Sequence, residues 1–348
     1  MATADQGGEV RAAAVERFNE LMWGLATTQC LHVAATLGVA DALAEGPRPV
    51  AEVAVRVGAD RDALERILRA LVAMGVFSQP EPGVVGLTDV GQLLVDGRSG
   101  TMRHNAIFFG TLTYRTWEDA LEAARTGRPA FPERFGDPFF DYLGKHPEEA
   151  ETFNRAMQGG SAARLPPLLA WGWRDVRAVV DVGGGNGAVV GALLAAHPHL
   201  RGVVFDLPNV VESARREIAA AGLADRCDTV AGSFFDEVPE GGDVYILAQI
   251  LHDWHDDDAV RILVRVREAM REDAVLLVHE LIVPEDDAPH PAKLIDLQML
   301  ILLGGRERTR TQWAELLRRG GFELAGVIEG RRANVIEARP AAKRGDSP

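Results

Sequence analysis

The chain has 348 residues, 47% hydrophobic and 25% charged, the composition of a soluble globular protein with material for two domains. Its formal net charge of −14 argues against a general nucleic-acid binder, which needs a cationic footprint. It lacks the run of about 18 apolar residues that a membrane span requires and the basic and apolar regions of a signal peptide. The two cysteines, Cys30 and Cys227, form no metal or redox pattern, so the expectation is a reducing cytoplasm with both thiols as small core residues.

Residues 1–8 are expected to fray. From residue 9 to about 35, Val15, Phe18, Leu21, Met22 and Leu25 recur at helical spacing, and Leu31, Val33, Ala34 and Leu37 continue the pattern to Gly38. So apolar a terminal helix needs a partner, and a homodimer is the commonest closed solution. Residues 49–94 have the pattern of a winged helix. A short helix spans 50–57, and Asp60 caps a second, with Leu64, Ile67, Leu68, Leu71 and Val72 as its buried stripe. A hairpin turns at 80–83, and Thr88 caps a further short helix. Between residues 50 and 96 there are four arginines against seven acids. A recognition helix opening with Asp60, Asp62 and Glu65 would meet phosphate with like charge, so dimerisation is favoured over a DNA-binding regulator. Residues 101–171 read as broken helices rich in aromatics, mostly core, with the remainder available to line a pocket for a flat apolar ligand. Residues 164–174 are the expected hinge. The expected divisions are 9–100, 101–170 and 171–340.

The centre of the second half is VVDVGGGNG, residues 179–187. An apolar run over 176–182 predicts a buried strand. It ends in Gly183, Gly184, Gly185 and Gly187, after which Val189, Val190, Leu193 and Leu194 share one helical face. Strand, glycine turn and helix open a βαβ nucleotide-binding unit. Beyond it, strands are expected at 202–205, 227–230, 244–250 and 275–279, and helices at 210–221, 258–270, 292–303 and 311–319. Two last strands, 322–328 and 334–338, follow one another as an antiparallel edge hairpin. The alternation predicts an α/β fold, a mainly parallel sheet with helices on both faces. Residues 340–348 are expected to be disordered.

Two cofactors compete for the glycine turn. Gly183, Gly185 and Ala188 satisfy the dinucleotide pattern, while Asp181, Gly183, Gly185 and Gly187 satisfy D-x-G-x-G, the turn of class I S-adenosylmethionine (SAM) methyltransferases. Asp181 would repel a pyrophosphate but suits a cofactor with an amino group. Ligands bind beyond the carboxyl ends of parallel strands. There Asp206, 19 residues past Gly187, is placed to accept from ribose hydroxyls. His252 and Glu280 follow two strands that can be neighbours, about 4.8 Å apart, and a His beside a carboxylate makes an oriented general base. The alternative, a metal site in HDWHDDD, residues 252–258, is set aside: Asp256, Asp257 and Asp258 suit the start of a helix, and His255 is read as solvated. No metal is expected.

Six motifs in order, FNRAM (153–157), DVGGGNG (181–187), GSFF (232–235), LHDW (251–254), HELIVP (279–284) and DLQMLILLGGRERT (296–309), resemble the class I SAM-dependent O-methyltransferases of the caffeate, acetylserotonin and bacterial polyketide type. The resemblance spans about residues 10–338. It implies a Rossmann-like SAM-methyltransferase sheet behind an N-terminal winged-helix dimerisation domain that closes the back of the partner's acceptor pocket. It also implies SAM as methyl donor, a small aromatic acceptor, and neither nucleic acid nor membrane as partner. Asp181, Gly183, Gly184, Gly185, Asp206 and Leu207 match cofactor-binding positions, as do Gly232, Ser233 and Phe234, and Met157 and Ser161 from the preceding helix. His252 matches the general base, bracketed by Glu280 and Glu307. Phe153, Met157, Asp253, Met299 and Leu303 match the acceptor side. There are two departures: Ser233 stands where Asp is frequent at the adenine, and Ala248 where some members carry Lys. The bacterial branch includes members that hydroxylate or decarboxylate while retaining SAM; His252, Glu280 and Glu307 together favour methyl transfer.

Overall fold

The structure, a computed structural model, describes residues 2–98, 100–161 and 163–342, without the side chains of 2–10, 160 and 161. The chain forms two compact units, Met1–Arg115 with Leu143–Gly160, and Thr116–Tyr142 with Ser161–Pro348. The segment 101–170, expected as one connecting region, is thus shared between them.

In the first unit the opening helix starts at Ala2 and runs to Met22, and a second spans Gly24–Leu37, closed by Gly38 in the left-handed conformation. Val15, Phe18, Leu21, Met22, Trp23 and Leu25 are all exposed. Three short strands, β1 (Arg48–Pro49), β2 (Phe77–Glu81) and β3 (Val84–Leu87), form an antiparallel wing in the order β1-β3-β2. Both expected caps are present: Asp60 accepts from the Ala63 N–H at 2.9 Å, and Thr88 from the Gly91 N–H at 3.2 Å. Of the expected stripe on the Arg61–Ala73 helix, Leu64, Leu68 and Leu71 are buried, whereas Ile67 and Val72 are half-buried. Cys30 is also half-buried and packs against the core of this unit, as expected of a small core thiol. The π-helical turn Phe109–Thr113 has no signature in the sequence pattern.

The second unit is built on β4 (Ala178–Val182), β5 (Arg201–Asp206), β6 (Cys227–Ala231), β7 (Val244–Ala248), β8 (Val275–Glu280), β9 (Ile282–Val283), β10 (Arg308–Thr309), β11 (Phe322–Ile328) and β12 (Asn334–Pro340). Seven of them form one sheet, ordered β11-β12-β8-β7-β4-β5-β6. β12 runs antiparallel between β11 and β8, and the rest pair in parallel. Burial on both faces explains why the strands read as unbroken apolar runs. Val180, Tyr245, Leu276 and Ile336 face one core with Ile262, Leu263, Trp313 and Leu317. Val179, Val204, Ile246 and Leu277 face the other with Val190, Leu193 and Ile218. The two-residue strands β9 and β10 pair in parallel, Ile282 with Arg308 and Val283 with Thr309, and bring the chain after the Pro291–Leu302 helix back to the end of β8. Pro340, expected in the disordered tail, closes β12; residues 343–348 lie outside the described residues.

Thr309 leaves β10 and caps the Arg310–Arg319 helix through a capping box with Gln312. Thr309→Ala is expected to cost about 1 kcal/mol, read as a lower urea midpoint at unchanged m-value.

Candidate active site

The polar residues gather beyond the carboxyl ends of the parallel strands. After β4 the chain turns at Gly183 with φ 72°, and a Cβ there would stand 2.5 Å from Cδ1 of Ile250. Glycine is therefore what lets this turn lie against the segment after β7. The Gly183 and Gly184 N–H groups donate to the Phe205 carbonyl. Asp206, at the end of β5, accepts from the Gly185 N–H at 2.8 Å and from the Leu207 N–H at 2.7 Å. The acid therefore braces the glycine turn as well as facing any ligand there.

Asp181 is fully buried, and neither of its carboxylate oxygens has a hydrogen-bond partner. Burial and the nearby Asp206 charge, opposed by the Val190 backbone, whose approach falls short of a well-formed hydrogen bond, raise its pKa to about 7. A buried acceptor without a donor is expensive, and an ammonium group is the donor it lacks. An orphaned acid, a glycine-opened backbone and a second acid at the next strand end fit a cofactor with an amino-acid end and a ribose. After β6, Gly232, Ser233 and Phe234 follow. The Ser233 hydroxyl accepts from the Phe235 N–H at 3.2 Å, and the Phe234 ring meets Trp254 edge-on at 6.0 Å.

β7 and β8 are adjacent, so His252 and Glu280 meet as expected from their strand ends. His252 lies on the short 3-10 turn Leu251–Asp253, mostly buried. Glu280 is fully buried, and its Oε1 accepts from the N–H groups of Ile250, Leu251 and His252 at 2.9, 3.0 and 3.4 Å. The imidazole Nδ1 lies 2.7 Å from Glu307 Oε1 and 3.5 Å from Glu280 Oε2; Nε2 lies 3.3 Å from Asp253 Oδ1. The second oxygen of Glu307 is buried without a partner. Burial alone would lower the proton affinity of His252. The charges of Glu280, Asp253 and Glu307 and the hydrogen bond to Glu307 outweigh it and raise the imidazole to about 10. Burial, opposed by the His252 charge, raises Glu280 to about 7 and Asp253 to about 6.

Several residues that hold this arrangement lie inside the 296–309 motif without a role of their own there. Arg308 is buried, and its guanidinium donates to the carbonyls of Leu251, Trp254 and Arg306 and to Asp256. It clamps the turn carrying His252 from both ends. Asp296 accepts from the Glu307 N–H at 2.8 Å. Gly305 passes so close to the turn that a Cβ would lie 2.0 Å from the His252 carbonyl oxygen. Asp256 accepts from Arg308, while Asp257 and Asp258 pair with arginines. All three stand in the first turn of the Asp256–Ala269 helix, as expected for its dipole, but none caps it through a side-chain hydrogen bond. His255 is exposed, as expected of a solvated residue. Phe153 and Met157 stand on the Pro147–Ser161 helix of the first unit, and the side chain of Ser161 lies outside the described residues. Met299 is buried on the Pro291–Leu302 helix, and Leu303 follows it half-buried.

A Rossmann-like sheet with an antiparallel hairpin at one edge, a glycine turn over an orphaned acid and a carboxylate-bound histidine together define a class I methyltransferase. Residues 117–323 match the O-methyltransferase domain family and residues 19–97 the O-methyltransferase dimerisation domain, and the chain belongs to this O-methyltransferase family. It is 41% identical over 323 residues to the phenazine O-methyltransferase PhzM of Lysobacter antibioticus, covering 92% of this chain and 95% of that one. It is 37% identical to the aclacinomycin 10-hydroxylase RdmB of Streptomyces purpurascens, covering 86% and 82%. The crystal structure of NcsB1, an O-methyltransferase from neocarzinostatin biosynthesis in complex with SAM and 2-hydroxy-5-methyl naphthoic acid, superposes with a TM-score of 0.78 at 36% identity, covering 90% of this chain and 96% of that one. The protein is a SAM-dependent O-methyltransferase.

The Asp181 carboxyl holds its proton more tightly folded, at about 7, than at its ordinary 3.8. Its contribution to stability is therefore greatest at low pH and is lost as pH rises through 7. Asp181→Asn is expected to raise the melting temperature of the cofactor-free protein relative to wild type, by a margin that grows from about pH 4 to about pH 7 and is level above it. The same change is expected to weaken S-adenosylhomocysteine (SAH) binding about tenfold in calorimetry, through loss of a charge-assisted hydrogen bond.

Proposed function

We propose that the protein methylates a hydroxyl of an aromatic, phenolic or polyketide-like natural product, with His252 as general base. The observation that carries this reading is the buried imidazole whose Nδ1 is held by Glu307 at 2.7 Å. With Nδ1–H donated there, Nε2 is the atom left to exchange a proton with an acceptor. SAM supplies a methyl group on a sulfonium, activated for in-line displacement. The protein's part is to hold the acceptor oxygen in line and take its proton as the new bond forms. In this reading Asp181 and the glycine turn serve the amino-acid end of SAM, Asp206 and Leu207 the ribose, and Gly232, Ser233 and Phe234 the adenine. Met157 and Ser161, on the preceding helix, are assigned to the cofactor in the same reading. Phe153, Met157, Asp253, Met299 and Leu303 serve the acceptor. The names of relatives that are O-methyltransferases of a phenazine, a hydroxybenzoate and a hydroxynaphthoate support methyl transfer over hydroxylation.

The working assembly in this reading is a homodimer in the cytoplasm. The dimerisation-domain match and the exposed row Val15, Phe18, Met22 and Leu25 support the dimer. No helix among the described residues is long and apolar enough to cross a membrane. Phe18→Asp is expected to shift the mass in light scattering from two chains to one.

Replacing His252 by Gln is expected to lower kcat at least about a hundredfold while SAH affinity stays near wild type. The base form is the deprotonated one, so wild-type kcat should rise with pH above 6.5 and level off before about 10. A product heavier by one methylene unit identifies methyl transfer. Full turnover in the Gln variant, or a product without the added methylene, refutes the reading.

A further inference from the structure

Gln249 joins β7 to the turn carrying His252, and among the described residues it is the one non-glycine residue with positive φ, 58°. A residue with a Cβ resists that region, and a long side chain gains nothing from it locally. Gln249 instead uses its whole amide. Its Nε2 donates to the His279 carbonyl at 3.2 Å and to Glu280 Oε2 at 3.1 Å, and its Oε1 accepts from Arg164 Nη1 at 3.3 Å. The backbone N–H of Gln249 donates to the same His279 carbonyl at 3.1 Å.

The neighbouring geometry gives these contacts a consequence. Two carboxylates face one nitrogen: Glu307 Oε1 at 2.7 Å and Glu280 Oε2 at 3.5 Å from Nδ1 of His252. Glu280 Oε1 is committed to three backbone N–H groups, so Oε2 is its one oxygen able to compete. That oxygen is the one Gln249 occupies. We propose that Gln249 is a positioning residue: by tying down Oε2 of Glu280 it leaves Nδ1–H of His252 to Glu307 and so fixes the direction in which Nε2 points. Arg164, anchored through its own carbonyl to His279 Nε2 at 3.0 Å, holds the far side of the amide. The proposal rests on the reading of His252 as the base, but the geometry it predicts can be observed without turnover.

The test is NMR of the full chain labelled with 15N-histidine and saturated with SAH. The downfield Nδ1–H resonance of His252 is assigned by its loss in His252→Gln. Gln249→Gly relieves the backbone and removes the amide, Gln249→Leu removes only the amide, and Gln249→Asn tolerates the backbone but falls one methylene short of Glu280. In each variant that keeps a cooperative melt, the resonance is expected to shift or broaden, with SAH affinity within about twofold of wild type. An unchanged resonance in Gln249→Gly or Gln249→Asn overturns the proposal. So does a loss of SAH affinity with the resonance in place, which would make Gln249 a cofactor ligand. Failure of the base reading shows separately, as a His252→Gln enzyme that turns over normally.

Discussion

A carboxylate taken out of water has to be answered by donors, and Glu280 is fully buried. Its answer comes mainly from the backbone of its neighbour: the N–H groups of residues 250–252 converge on one oxygen. This is how β7 ends in a turn instead of running on, and the turn is what places His252 beyond the carboxyl end of the sheet. The register that makes it possible, Ala248 opposite His279, is set by the parallel pairing of β7 with β8. On the other side β12 places Asn334 opposite Glu280. The acid is therefore fixed by two ladders before any side chain contributes. Without it, three amides at the sheet edge would need new partners.

The other half of the constellation is held differently. Glu307 arrives on a loop, stabilised by only two residue pairs between β9 and β10. A ladder so short cannot fix a side chain to a fraction of an ångström. The rest comes from Arg308, whose guanidinium is buried because it satisfies three carbonyls and Asp256 at once, and which lies 5.2 Å from the centre of the Trp313 ring. Gly305 allows the two loops to touch, and the Arg306 N–H donates to the His252 carbonyl at 2.8 Å. The sheet therefore sets where the imidazole sits, and a loop locked by one arginine sets how it is oriented.

The sequence revealed the first half and not the second, for a physical reason. Strands buried on both faces leave apolar runs long enough to see, so the large sheet was visible within a residue or two; β7 stops at Ala248 and not Ile250 because Gln249 turns out of the strand. The rule that ligands gather at carboxyl ends then singled out Asp181, Asp206, His252 and Glu280. Two-residue strands such as β9 and β10 have no period, so Glu307 came only from a family resemblance. Gln249 and Arg308 act through contacts between segments far apart in the chain. Nothing local marks such residues; an arginine buried by four acceptors looks in sequence like any surface arginine. The same holds in the first unit, where periodicity located the Arg61–Ala73 helix but could not say which of its apolar residues the neighbouring elements would cover.

The charges at this edge place two demands on His252 that pull against each other. Orientation calls for acids nearby, and the site supplies Glu280, Asp253 and Glu307. Those acids also strengthen the imidazole's hold on its proton, to about 10. Read as a general base, such a histidine is already protonated at neutral pH and has no lone pair to offer. The conflict eases when positive charge enters the site, because a cation beside an imidazolium lowers its proton affinity. SAM carries that charge on the sulfonium, and the cluster, with three carboxylates to one imidazolium, has negative charge to receive it. In the reading of His252 as base, methyl donor and base are electrically coupled, since the acids that orient the imidazole also favour a cation beside it.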